Sequence, residues 1–86
     1  MKTLYETTST AVGARKGHVT SEDGPIDFKL SVPKAMGGDG GDGANPEQLF
    51  GAAYAACFGS AIEAVAQSKN ISVATEDISV AATIGF

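Results

Sequence analysis

Cysteine is almost missing: Cys57 is the only one in 86 residues, which excludes an internal disulfide. Basic residues are also few. Six Lys and Arg stand against ten Asp and Glu, and the formal net charge is −4. No Lys/Arg cluster exists to neutralise phosphates, so nucleic acid is not an expected partner. The start lacks the charged and apolar regions of a secretory leader, so a reducing cytoplasm is the expected location. The one histidine, His18, has no Asp or Cys at ligand spacing, and no metal site is expected. There is no internal repeat, and the length bounds the chain at one domain, residues 1–86. A domain of this size has a marginal core unless a partner helps.

What the sequence does have is one long apolar stretch, Asn45 to Asn70. Asn45 is a good N-cap, Pro46 suits the first helical position, and Gln48 sits in capping-box register. No Gly-Pro or Asn-Gly break follows until Asn70, so a single helix is expected over 46–69. Its apolar residues do not form a narrow stripe, which predicts a helix buried on most sides. Gly51, Ala52, Ala53, Ala55, Ala56, Gly59, Ser60 and Ala61 make it a surface that another backbone can approach closely. It is not expected to span a membrane, because the run is mostly Ala and Gly and carries Glu63 and Gln67.

Before the helix, residues 3–13 are rich in Thr and β-branched residues and read as a strand. Gly13 to Gly17 is a turn with Arg15 and Lys16 at its tip, and Gly17 to Glu22 a second strand. Asp23-Gly24-Pro25 is a turn signal. Ile26 to Val32 alternates, with Ile26, Phe28, Leu30 and Val32 on one face, and completes an antiparallel meander. Residues 34–44 form a glycine-rich loop. Its Gly37-Gly38-Asp39-Gly40-Gly41-Asp42 run matches one copy of a calcium-binding repeat that works only in stacks, so calcium is not expected. The loop also lacks the ending of a phosphate-binding P-loop. After the helix, Ile78 to Phe86 alternates as a further strand and needs a partner strand, from more sequence or from another chain. The fold class is α+β: a meander, a long buried central helix and a further strand.

By itself an isolated mid-helix cysteine reads as a small buried hydrophobe. The helix dipole would not activate it, because Cys57 is about three turns from the N-terminus. Activation would need a nearby cation such as Arg15. Ser60 and Ser68 lie in no nucleophile-elbow context.

The run Asn45-Pro46-Glu47-Gln48-Leu49-Phe50, followed by Tyr54-Ala55-Ala56-Cys57-Phe58, resembles the signature of the organic hydroperoxide resistance (Ohr) branch of the OsmC/Ohr family. Gly13-Ala14-Arg15-Lys16-Gly17 resembles the turn that carries the family's arginine. Leu30-Ser31-Val32-Pro33 and the loop after it resemble the run-in to the family helix. The likeness covers essentially the whole chain, as an N-terminal portion of the family domain. It implies an intertwined homodimer and a thiol peroxidase that reduces organic hydroperoxides to alcohols under oxidative stress. No resident cofactor is implied; the reductant is an external dithiol of the dihydrolipoyl type. By position, Cys57 matches the peroxidatic cysteine, Arg15 the arginine that holds its thiolate, and Glu47 the glutamate that orients Arg15. Met36, Phe50, Tyr54 and Phe58 could wall an organic substituent, although core packing uses the same residue types. Family chains are longer and carry a second, resolving cysteine that is missing here. The alternative is therefore a non-cycling structural remnant or dimerisation core of such an enzyme.

Overall fold

The computed structural model describes residues 2–86. They form two compact units, one ending at Pro46 and the other running Glu47–Phe86.

The first unit is the expected meander, with shorter strands. Strands β1 (Ser9–Val12), β2 (His18–Ser21) and β3 (Asp27–Lys29) lie side by side in chain order, all antiparallel. The register pairs Ser9 with Ser21, Val12 with His18, and His18 with Lys29. Residues 3–8, expected in the first strand, are not in it, and β3 stops three residues before Val32. Tyr5 still reaches the second turn, where its hydroxyl donates to Asp23 Oδ2 at 2.9 Å and the Thr7 hydroxyl donates to Oδ1. These two hydrogen bonds hold the Asp23 carboxyl below its usual value, Thr7 contributing more than Tyr5.

The first turn is a short 3-10 segment, Ala14–Lys16. It enters through two successive left-handed residues, Gly13 at φ 87° and Ala14 at φ 52°. A β-carbon on Gly13 would lie 2.9 Å from the Gly17 Cα, and one on Gly17 would collide with the Val12 carbonyl. The glycines are there because the backbone closes on itself. Leu30, only 4% exposed, is the buried residue of this unit. The backbone ties around it are Leu30 N–H to Gly17 O at 2.8 Å, Ser31 N–H to Ala44 O at 2.9 Å and Ala44 N–H to Lys29 O at 2.8 Å. They bring the end of the glycine-rich loop back to the edge of the sheet.

The second unit is built on α1, Pro46–Ser68. It is continuous, and it ends just before Asn70, whose left-handed φ of 57° turns the chain away. The Ile71 N–H then closes on Ala66 O at 2.8 Å. The following segment returns along one side of the helix. Ile84 packs at Gly51, and Ile78 and Val80 pack at Gly59. Ile78, Val80, Ala82 and Ile84 are half-buried, while Ser79, Ala81, Thr83 and Gly85 between them are exposed. The alternation predicted for this segment is thus real, but among the described residues it forms no strand, because no neighbouring strand lies beside it.

The buried helix is not observed. Only Gly51 and Ala66 of α1 are buried. The return segment covers the small-residue side. By length and composition α1 is long and apolar enough to cross a membrane, a test that the core helix of a soluble protein also passes.

Candidate functional site

The candidate residues fall on both units. Arg15 and Met36 belong to the first, each in a 3-10 turn: Arg15 in Ala14–Lys16 and Met36 in Lys34–Met36. Both are half-buried. Glu47, Phe50, Tyr54, Cys57 and Phe58 all lie on α1.

On α1 the geometry is specific. Phe50, Tyr54 and Phe58 recur every four residues, so their rings line up along one edge of the helix. Phe50 and Tyr54 stack with centroids 6.0 Å apart and planes 19° from parallel; Tyr54 and Phe58 do so at 6.2 Å and 26°. Such offset stacks are favourable beyond the area they cover, by about 0.5–1.5 kcal/mol. The ladder does not collapse into a core: the three rings are 59%, 52% and 49% exposed. Ile62 and Val65 extend the same edge. Beyond Phe58 they join Ile71 and Val73 in an almost wholly apolar cleft of about 450 Å³.

Cys57 is a free, exposed thiol. The expectation of a buried cysteine is therefore corrected. At about 100° per residue, Cys57 lies across the helix from Ala55 and Gly59, the side on which the return segment packs. Its place is beside the aromatic edge: three residues after Tyr54, one before Phe58 and two turns above Phe50. The helix dipole does not reach Cys57, because the uninterrupted helix sets it well away from both the first and the last turn.

Glu47 is in the first turn of α1. Ten residues separate it from Cys57, about 15 Å along the axis, so the two side chains of one chain do not meet directly. Glu47, Arg15 and Asn45 all have interaction partners. The structure thus brings the three aromatic residues together with Cys57, and leaves Glu47 at the far end of the same helix.

His18 was read as having no Asp or Cys at ligand spacing. It does have one acidic neighbour in space, since His18 Nε2 contacts Asp27 Oδ1 across β2 and β3. The nine-residue separation concealed a pair that the hairpin register makes adjacent. Both side chains are largely exposed, and among the described residues no group of three or more His, Cys, Asp or Glu could hold a metal ion. The aromatic ladder is the feature that sequence reasoning left undecided between pocket and core; its four-residue period was the available signal.

Comparison with known proteins adds the family. Residues 38–85 match the model of the family described as "OsmC-like protein". An organic hydroperoxide resistance protein of Xanthomonas axonopodis pv. citri is 48% identical over 85 residues, covering 99% of this chain and 59% of that relative. The organic hydroperoxide resistance protein OhrB of Bacillus subtilis is 51% identical over 73 residues, 85% of this chain and 53% of its own. Among solved structures, an organic hydroperoxide resistance protein of Legionella pneumophila aligns with a TM-score of 0.76 at 50% identity, over 84% of this chain and 52% of that one. A putative one from Vibrio cholerae, with captopril bound in one of its active sites, aligns at 0.75 and 47% identity, over 84% of this chain and 49% of that one. The chain spans a little over half the length of the relatives that it matches.

Proposed function

Because this chain belongs to the OsmC-like family, among relatives named for organic hydroperoxide resistance, we propose that it carries the reactive-thiol portion of a peroxidase that reduces organic hydroperoxides. One observation supports this most: the only thiol is exposed and sits beside an exposed, stacked aromatic edge on the same helix. A thiolate is a strong nucleophile toward the peroxide O–O bond, and the products are a sulfenic acid and an alcohol. The rings of Phe50, Tyr54 and Phe58 offer an alkyl or aryl substituent somewhere to lie. Burying it is worth roughly 25 cal/mol per Å².

In this reading the Arg15 guanidinium stabilises the thiolate and a peroxide oxygen, and the Glu47 carboxylate fixes that fork bidentately. Met36 extends the apolar wall. The 15 Å between Glu47 and Cys57 requires either that Arg15 bridge the gap or that a second chain bring its own Glu47, and we place the complete site at a homodimer interface. An external dithiol of the dihydrolipoyl type would return the thiol to its reduced state.

The test is intact mass after one equivalent of cumene hydroperoxide. A gain of one oxygen on Cys57 is the expected result. No gain favours the second reading, a folded but non-cycling dimerisation core.

A further inference from the structure

We propose that Asp23-Gly24 is a site of spontaneous isoaspartate formation, and that the hydroxyls of Tyr5 and Thr7 guard it. Aspartate followed by glycine is the pair most open to this rearrangement, because glycine puts no side chain in the way of its own nitrogen. The chain has three such pairs, all outside helices and strands: Asp23-Gly24, Asp39-Gly40 and Asp42-Gly43. The attacking atom is the glycine nitrogen, and the structure holds the three nitrogens differently. Gly40 N–H donates to Val32 O at 3.0 Å, and Gly43 N–H donates to Ser31 Oγ at 2.9 Å. Gly24 N–H has no hydrogen-bond partner among the described residues. Gly24 is left-handed, at φ 80°, and a β-carbon there would meet nothing within 4 Å. The carboxyl beside that open nitrogen is tied down instead. The Tyr5 hydroxyl donates to Asp23 Oδ2 at 2.9 Å, and the Thr7 hydroxyl donates to Oδ1.

The chemistry explains the guard. Gly24 N attacks Asp23 Cγ, a C–N bond forms, the amide proton is lost and one carboxyl oxygen leaves as water. A cyclic imide results. Water then opens the ring, and opening at the main-chain carbonyl leaves the chain running through the former side chain. One water is released and one is taken up, and nothing is oxidised or reduced. The oxygen leaves only from a protonated carboxyl, and Thr7 first and Tyr5 second hold the Asp23 carboxyl below its usual value, so little of it is neutral. Cγ must also swing onto Gly24 N, which breaks both hydrogen bonds. The same two hydroxyls therefore oppose both requirements. Conversion adds one main-chain carbon to the turn between β2 and β3, which Ser21 N–H to Ile26 O closes at 3.0 Å. It also moves the carboxylate off its side chain, so the clasp on residues 5 and 7 is undone.

The test ages the whole chain at mildly acidic pH and physiological temperature, as the parent and as Tyr5→Phe, Thr7→Val and the double variant. Both residues lie outside the strands, and both substitutions keep the side chain's shape. Peptide mapping with electron-transfer fragmentation, which tells isoaspartate from aspartate, reads all three pairs in each sample. The parent in guanidinium chloride gives the unfolded rates. In the folded parent, Asp23 should convert well below its unfolded rate. The double variant should raise conversion at Asp23 several-fold, Thr7→Val contributing more than Tyr5→Phe, and leave Asp39 and Asp42 unchanged. Conversion of Asp23 in the folded parent as fast as in denaturant, or a double variant no faster than the parent, would overturn the proposal. So would equal acceleration at all three pairs, since the substitutions would then act by loosening the whole unit.

Discussion

Gly51 and Ile84 meet so closely that a β-carbon at position 51 would lie 3.2 Å from Ile84 Cγ1. At Gly59 the same construction finds Ile78 Cγ2 at 3.5 Å and Val80 Cγ2 at 3.7 Å, ordinary contact distances. Both glycines are inside α1, where glycine costs about 1 kcal/mol relative to alanine. Gly59→Ala should therefore stabilise the second unit by about 0.5–1 kcal/mol. Gly51→Ala should gain nothing, or lose stability, because the Ile84 side chain must shift. Urea titrations followed by helical circular dichroism compare the two. Equal stabilisation would mean that the return segment does not seat on Gly51.

Leu30 is the buried anchor of the first unit, so Leu30→Ala should cost about 2–3 kcal/mol, at the low end for such truncations because little apolar structure surrounds it. The loss should appear as collapse of amide protection at Leu30, Ser31 and Ala44, whose hydrogen bonds cross there. Hydrogen exchange on the variant measures it.

Asp23 gives the pH dependence. Its carboxyl is held below the ordinary 3.8 by Thr7 first and Tyr5 second. A depressed acid binds its proton less readily folded than unfolded. The contribution is therefore fully present above the unfolded value and disappears as pH falls through the folded one. Carbon-detected NMR titration of Asp23 should show Thr7→Val moving its midpoint upward by more than Tyr5→Phe does. The reverse order would mean that Thr7 is not the stronger partner of Asp23.

Substrate preference follows from the aromatic edge. Oxidation of Cys57 should be faster with cumene hydroperoxide than with hydrogen peroxide, and Phe58→Ala should shrink that ratio several-fold by removing a rung of the ladder. Second-order rate constants from stopped flow decide it; equal rates for the two peroxides in the parent chain would leave the edge without a role in selection.

Within these 86 residues a sulfenic acid on Cys57 has no second cysteine to condense with. Given excess peroxide and a dihydrolipoyl reductant, we expect about one equivalent consumed and a sulfinic acid on Cys57. Peroxide consumption and intact mass, read together, check this. Sustained turnover would show that an external thiol resolves the intermediate directly.

Local rules carried the sequence reading far. Asn45-Pro46 marked the helix start to the residue, Asn70 its stop, and Gly13 and Asp23-Gly24 both hairpin turns. These features depend on neighbours in sequence. Burial does not. Apolar residues all round α1 implied cover on every side, yet only Gly51 and Ala66 of the helix are buried. The exposure of Cys57 and of the Phe50–Phe58 ladder follows from that shortfall. The His18–Asp27 pair was hidden for a related reason: it exists only through strand register, which depends on where the turn between β2 and β3 closes.

The chain-order meander also has a bearing on synthesis. Its widest strand pairing, Ser9 with Ser21, closes over only 12 residues, and its last strand ends at Lys29. Such short closures form on the order of microseconds, against roughly 5–20 residues added per second by the ribosome. Pairing of the three strands thus depends on no residue of α1. The turn bearing Arg15 closes through pairings local in sequence and does not wait on the helix that carries Cys57.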